Sequence, residues 1–174
     1  MKISKLDELY VEELRDLCSA EQQIIAGLPE TIKAVQNTDF KNALSSHLEQ
    51  THNHKKRLEE IFDSLEVSSE GNTCEATEGL IEEVKEIISE IEPGTLRDIA
   101  IAGAAQRIEF YEQAAYQSAI RLAEALDRPE HADSLRQTLS EEEAAGEKVS
   151  YIGDHLCWGK QATPTAVTNQ YAGE

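Results

Sequence analysis

The sequence predicts an all-α protein, an antiparallel four-helix bundle with one additional short helix. Apolar residues recur at helical spacing through most of the 174 residues, and no segment shows the strict alternation of a half-buried strand. The prolines are few and far apart: Pro29, Pro93, Pro129 and Pro164. Two long helical pairs, each with a short internal turn and joined by a longer connection, are typical of such a bundle.

The first helical pair is predicted over residues of about 4–35 and about 40–65 from its apolar spacing and turn residues. One face of the first helix carries Leu6, Leu9, Leu17, Ile24 and Leu28. Pro29 is expected to kink or interrupt this helix, because proline removes a backbone hydrogen bond. The turn 37–39 contains Asn, Thr and Asp, which are typical capping residues.

The second pair follows a polar connection. The loop VSSEGNTCEATEG leads into a short helix, GLIEEVKEIISEI. Pro93 and Gly94 then break the chain, and Thr95 is expected to cap an alanine-rich helix over about 96–126. After a turn at Asp127–Pro129, the last helix is predicted over about 130–156. We therefore expect a helical domain over 1–156 and an irregular tail over 157–174.

The composition excludes several classes of function. Thirty-four acidic and 16 basic residues give a formal charge of -18, which disfavours binding to nucleic acid or to an anionic membrane. No apolar run reaches the roughly 18 residues of a membrane span, and the charged N-terminus does not resemble a signal peptide. Three scattered cysteines form no CxxC motif. These features predict a cytoplasmic protein.

The stretch HLEQTHNH in the second helix contains a Glu49-x-x-His52 pair, a spacing used for metal ligands in helical bundles. The apolar face of this helix places that pair mostly towards solvent, at about 100° per residue. His47, Gln50, Thr51 and His54 lie on or beside the apolar face instead. They form either half of a metal site or a hydrogen-bonded polar border.

Each of the other long helices also carries an acidic residue on its apolar face. Glu21 lies on the first helix, Glu109 and Glu112 one turn apart on the fourth, and Glu142 on the fifth, where Glu141 is expected to point away. Carboxylates together with imidazoles suit iron or manganese. The alternative is a set of buried ion pairs with Arg57, Arg107 or Arg121, because an unpaired buried carboxylate is costly.

At these residues the sequence resembles the YciE/YciF-like bacterial stress proteins, over about 1–156. The matching stretches are SAEQQI at 19–24, HLEQT at 47–51, KRLEEIF at 56–62, EGLIEEVKEII at 78–88, RDIAIAGAAQRIEFYEQAAY at 97–116 and TLSEEEAAGEKV at 138–149. Together these stretches are specific for the family. The resemblance implies a ferritin-like bundle related to rubrerythrin, a homodimer, induction under stress and a di-iron site.

Carried over by the resemblance, the matching polar positions are Glu21, His47, Gln50, Glu109, Glu112 and Glu142. The relatives commonly have glutamate at position 50 and often aspartate near position 146, where this chain has Gln50 and Gly146. Both differences remove a charged oxygen ligand. His54 can compensate, because it lies one turn from Gln50 on the same face.

Two functions remain compatible with the sequence. The first is a ferritin-like protein that binds one or two iron ions, or manganese, and reacts with oxygen or peroxide. The second is a non-catalytic helical stress protein without metal, which acts as a dimeric scaffold or binds a partner. The sequence contains no phosphate-binding loop and no nucleophile elbow.

Overall fold

Five α-helices make up most of residues 2–159, the part of the chain described in this computed structural model. The helices are α1 (Leu6–Ala34), α2 (Thr38–Leu65), α3 (Glu75–Glu90), α4 (Thr95–Ala125) and α5 (Pro129–Trp158). No strand occurs within these residues. No helix of the described range is long and apolar enough to cross a membrane.

Two apolar clusters show how the four long helices are arranged. The Tyr10 cluster joins the start of α1 and α5 to the end of α2 and α4, and includes Tyr10, Leu14, Leu58, Phe62, Tyr116, Ile120 and Leu135. The Phe40 cluster joins the opposite ends and includes Ile24, Leu28, Phe40, Leu44, Ile101, Val149 and Ile152. Helix α1 is thus antiparallel to α2 and α4, and α5 is antiparallel to both of these as well. A crossover containing α3 connects the two pairs, which confirms the ferritin-like bundle with one additional short helix.

One expectation about the first helix is wrong. Leu6 and Leu9 are 42% and 41% exposed, because the buried face of α1 begins at Tyr10 and Leu14. Pro29 lies inside α1 but does not end it, and the helix continues to Ala34.

The short helix starts earlier than its sequence suggested, at Glu75 instead of Gly79. The acidic residues Glu75 and Glu78 in its first turn stabilise the N-terminus of the helix. Cys74 and Thr77 are both buried and fix this end of the helix against its neighbours.

Thr95 is the first residue of α4, and Gly94 takes the position of its N-cap. Helix α5 extends two residues beyond the predicted end at 156. The tail predicted over 157–174 otherwise lies outside the described residues.

The turn between α1 and α2 is held by a buried carboxylate from α4. Asp98 accepts hydrogen bonds from the backbone N–H groups of Gln36, at 2.9 Å, and Asn37, at 2.7 Å. The Asn37 side chain in turn accepts from the N–H of Phe40 and caps α2, as the sequence predicted. Asp98 therefore ties the two helical pairs together at one end of the bundle.

We expect Asp98→Ala to lower the free energy of unfolding by about 3 kcal/mol, because two buried N–H groups lose a charged acceptor. Urea denaturation measures the change. Asp133→Ala serves as the control, since the ion pair of Asp133 within residues 2–159 is an exposed one with Arg136, and we expect its effect to stay within about 0.5 kcal/mol. Equal losses in the two variants would contradict the role assigned to Asp98.

Candidate metal centre

Six polar side chains from four helices form a buried layer between the two apolar clusters. They are Glu21 of α1, His47 and His54 of α2, Glu109 and Glu112 of α4, and Glu142 of α5. None is more than 6% exposed. The spacing along each helix explains the convergence: residues three or seven apart return to the same face, so α2 and α4 each direct two side chains inward.

Glu142 lies at the centre of this layer. Its Oε1 atom is 2.6 Å from Nδ1 of His54, and its Oε2 atom is 4.0 Å from Nε2 of His47. The six side chains form two groups that share Glu142, and within each group one potential ligand atom per residue lies within 4.8 Å of the others. One group is Glu21, His54 and Glu142; the other is His47, Glu109, Glu112 and Glu142.

Most polar atoms of this layer have no hydrogen-bond partner within the described structure. The unpartnered atoms are Glu21 Oε2, His47 Nδ1, His54 Nδ1, Glu109 Oε2 and both carboxylate oxygens of Glu112 and Glu142. His54 Nδ1 and Glu142 Oε1 lie close together but form no hydrogen bond. Buried polar groups are normally satisfied, so a cluster of unpartnered atoms is the pattern expected where a cation or ordered water binds.

The arginine alternative is wrong for these carboxylates. Within residues 2–159, no ion pair joins an arginine to Glu21, Glu109, Glu112 or Glu142. The Arg57 guanidinium binds Glu141 instead, and Arg107 pairs with the exposed Glu83.

Burial and mutual repulsion dominate the electrostatics. Burial, together with the charge of Glu142, raises the pKa of Glu21 to about 8 and the pKa values of Glu109 and Glu112 well above their usual range. Burial also acts to raise the pKa of Glu142, but the close approach of His54 Nδ1, at 2.6 Å, and the charges of the two histidines outweigh it and lower that pKa. Without a cation, Glu142 is therefore the carboxylate that ionises first.

A second carboxylate on α5 orients His54. Glu141 Oε2 lies 2.9 Å from His54 Nε2, and both oxygens of Glu141 accept hydrogen bonds from Arg57. With its proton on Nε2, His54 directs the Nδ1 lone pair towards Glu21 and Glu142. A carboxylate behind a histidine in this way is the arrangement that fixes metal-binding imidazoles. Burial opposes the ionisation of Glu141, but the Arg57 bonds lower its pKa to about 2.

Sequence reasoning missed this role, because Glu141 was expected to point away from the bundle. The register of α5 against α2 decides which way Glu141 points, and no pattern within α5 alone reports that register. The expectation for Glu49 and His52 was correct, since both side chains are exposed.

Gln50 and Gly146 lie next to the two groups, and Gln50 stays a predicted ligand. Gln50 is half-buried and lines a cavity beside His47 and Glu109. Gly146 is buried, and a Cβ atom there would lie 2.8 Å from the Nε2 atom of Gln113, whose amide donates to the Glu142 carbonyl. The Gln113 amide thus occupies the space that a longer side chain at 146 would need.

The residues fit a pair of hard divalent cations. Four carboxylates balance the charge of two such ions, and carboxylate oxygen with imidazole nitrogen suits iron or manganese. The pattern departs from the usual helical-bundle site, in which two helices each carry Glu-x-x-His. Here both histidines come from α2, and α4 supplies Glu109-x-x-Glu112.

Comparisons with known proteins agree with this fold. Residues 5–161 match the family described as "Domain of unknown function (DUF892)". The chain is 34% identical to protein YciF of Escherichia coli K12 over 151 residues, which cover 86% of this chain and 91% of that protein.

Solved structures give the same result. The crystal structure of the E. coli stress protein YciF superposes with a TM-score of 0.87 at 33% identity, over 91% of this chain and all of that one. YcfI from Rhodopseudomonas palustris superposes with a TM-score of 0.83 at 38% identity, over 86% of this chain and 95% of that one. A Xanthomonas campestris protein, with a TM-score of 0.70 at 15% identity over 88% of this chain and 94% of that one, shares the fold alone. The chain therefore belongs to the DUF892 family and is a YciF-like helical bundle.

Proposed function

We propose that this protein binds two iron ions, with manganese as the alternative, and reacts with oxygen or peroxide as part of a stress response. One observation carries the proposal: unpartnered oxygen and nitrogen atoms of six buried side chains from four helices converge around Glu142. Burying four carboxylates without cations is costly. If these residues served only the fold, apolar residues of similar size would stabilise the bundle better.

Each residue has a role in this proposal. Glu142 would help to hold both ions, since it belongs to both groups. Glu21 and His54 would complete one ion's ligands, and His47, Glu109 and Glu112 those of the other. Glu141 acts indirectly by holding the His54 ring.

Bound iron would supply one-electron redox chemistry with oxygen or peroxide. The chain supplies the surroundings. The two apolar clusters limit the access of water from either end of the bundle. The Tyr116 hydroxyl donates a hydrogen bond to Glu21 Oε1 and holds that carboxylate in place.

The biological setting is proposed from the relatives. The E. coli protein YciF is described as a stress protein, and we extend that role to this chain. A homodimer and a cytoplasmic location belong to the same proposal.

Metal content measured by mass spectrometry tests the proposal. Untagged protein is produced in medium supplemented with iron and manganese, and we expect two ions per chain. We expect Glu142→Ala to lose both ions, because both groups contain this residue, and Glu21→Ala to lose one. Glu143→Ala, an exposed neighbour on α5, is the matched control and should keep both ions.

Other stoichiometries have a defined meaning. One ion per chain would show that only one group is a complete site, and the Glu21→Ala variant identifies which. Metal at background level in the wild type would remove the proposal and leave the second hypothesis, a helical stress scaffold without metal.

A further inference from the structure

An apolar cavity of about 40 Å³ lies beside the candidate metal centre. Helices α1 to α4 form its walls, mainly with Ile24, Leu44, Ile81, Val84 and Ile101. The polar residues in its lining are Thr31, His47 and Glu109. The Thr31 hydroxyl donates to the Gly27 carbonyl, so its hydrogen-bonding demand is already met. His47 and Glu109 therefore form the one reactive end of an otherwise apolar cavity.

The size and lining of the cavity restrict its occupant. A cavity above about 10–15 Å³ can hold a water molecule, but a water needs two to four polar partners, and only one end of this cavity offers any. Cavities of about 150 Å³ accommodate benzene, so this cavity suits only a molecule of a few atoms. A small, uncharged, apolar guest fits both limits.

A second cavity approaches the same two residues from the other side. It measures about 210 Å³, lies between α2, α4 and α5, and is lined by Ser46, Gln50 and Lys148 as well as by His47 and Glu109. Half of its ten lining residues are polar or charged, which suits water and dissolved ions, and the other half are apolar. The pair of His47 and Glu109, with their nearest atoms 3.4 Å apart, therefore separates a polar entrance from an apolar one.

We propose that the apolar cavity binds dioxygen and presents it to the His47–Glu109 end of the metal centre, whereas the polar cavity admits water-borne species. The identity of the guest rests on the proposed function; the ability to hold an apolar diatomic molecule does not. Dioxygen and peroxide would thus reach the metal centre by different routes, dioxygen through the apolar cavity and peroxide through the polar one.

Xenon tests occupancy independently of any metal. Crystals of the metal-free protein are pressurised with xenon, and we expect one xenon atom in the cavity of the wild type. Ala105→Val adds two methyl groups to the cavity wall and should abolish that xenon site. Ala145→Val makes the same change in the wall of the polar cavity and should leave it intact. Should Ala105→Val fail to fold, Val84→Ile fills the cavity with a single added carbon.

Kinetics test the role of the cavity in the iron-loaded protein. Oxidation of bound ferrous iron is followed with dioxygen and with hydrogen peroxide. We expect Ala105→Val to lower the dioxygen rate several-fold while the peroxide rate stays close to that of the wild type. Ala145→Val should not lower the ratio of the two rates.

Each outcome decides one proposal. Absence of xenon from the wild-type cavity, in a protein that binds iron, would overturn the dioxygen site and leave the proposed function standing. Equal slowing of both oxidants by Ala105→Val would also overturn it. Xenon binding by a protein that takes up no metal would remove the proposed function, and with it the delivery of dioxygen.

Discussion

The metal-free protein is expected to lose stability as the pH rises from about 6.5 to 8, and divalent iron or manganese to reverse that loss. Glu21, Glu109 and Glu112 have pKa values raised by burial, so the folded state retains protons that the unfolded chain has released. Stability then falls with increasing pH, because the folded state binds more protons than the unfolded state.

The other titrating groups of the centre do not cancel this effect in that window. The pKa of His54 is raised by its carboxylate partners although burial opposes them, so His54 also loses stabilisation as the pH rises. The lowered pKa of His47, caused by burial, acts below the ordinary histidine value of 6.5. The lowered pKa values of Glu141 and Glu142 act below the ordinary glutamate value of 4.5. Within the centre, the groups whose titration destabilises the fold therefore dominate between pH 6.5 and 8.

Thermal unfolding of chelator-treated protein measures the effect. One proton fully linked over this window changes the free energy of unfolding by about 2 kcal/mol, which corresponds to about 4 °C or more in Tm. We expect Glu21→Gln to reduce the slope, and the exposed control Glu143→Gln to leave it unchanged. A Tm that is flat or rises from pH 6.5 to 8 would contradict the buried, protonated state of these carboxylates.

Helical periodicity predicted the bundle because each long helix buries one continuous face, and the spacing of its apolar residues identifies that face. The ends were harder to predict. Helix α3 begins at Glu75 because Cys74 and Thr77 are buried against neighbouring helices, and a polar-looking loop sequence does not reveal such contacts. Leu6 and Leu9 continue the apolar spacing of α1 but are more than 40% exposed, since periodicity alone does not show where the bundle ends.

The same reasoning found most of the candidate centre. Acidic residues on apolar faces were visible as exceptions to the pattern, and Glu21, Glu109, Glu112 and Glu142 all prove to be buried. Glu141 was not predictable in this way, because its partners His54 and Arg57 lie on another helix. The division of the ligands into two groups around Glu142 likewise depends on the relative heights of four helices, which periodicity within each helix does not specify.

Replacing Glu112 with methionine is expected to stabilise the metal-free protein by about 2 kcal/mol, because it removes a buried carboxyl group with no partner and keeps a side chain of similar length. Among the described residues neither Glu112 oxygen has a hydrogen-bond partner, and Glu112 is 1% exposed. Methionine also favours the helix as well as glutamate does. The same variant should bind fewer metal ions, since one group loses a carboxylate.

The opposite signs of these two changes identify the role of Glu112. Urea denaturation of chelator-treated protein measures the change in the free energy of unfolding, and metal content measures the change in the number of bound ions. Glu124→Met places the same substitution on the exposed surface of α4 and should change neither quantity by much. A destabilised Glu112→Met variant would show that the carboxylate serves the fold, and undiminished metal binding would show that it is not a ligand. Greater stability together with weaker metal binding is expected only of a carboxylate that is retained for its cation, at the expense of the fold.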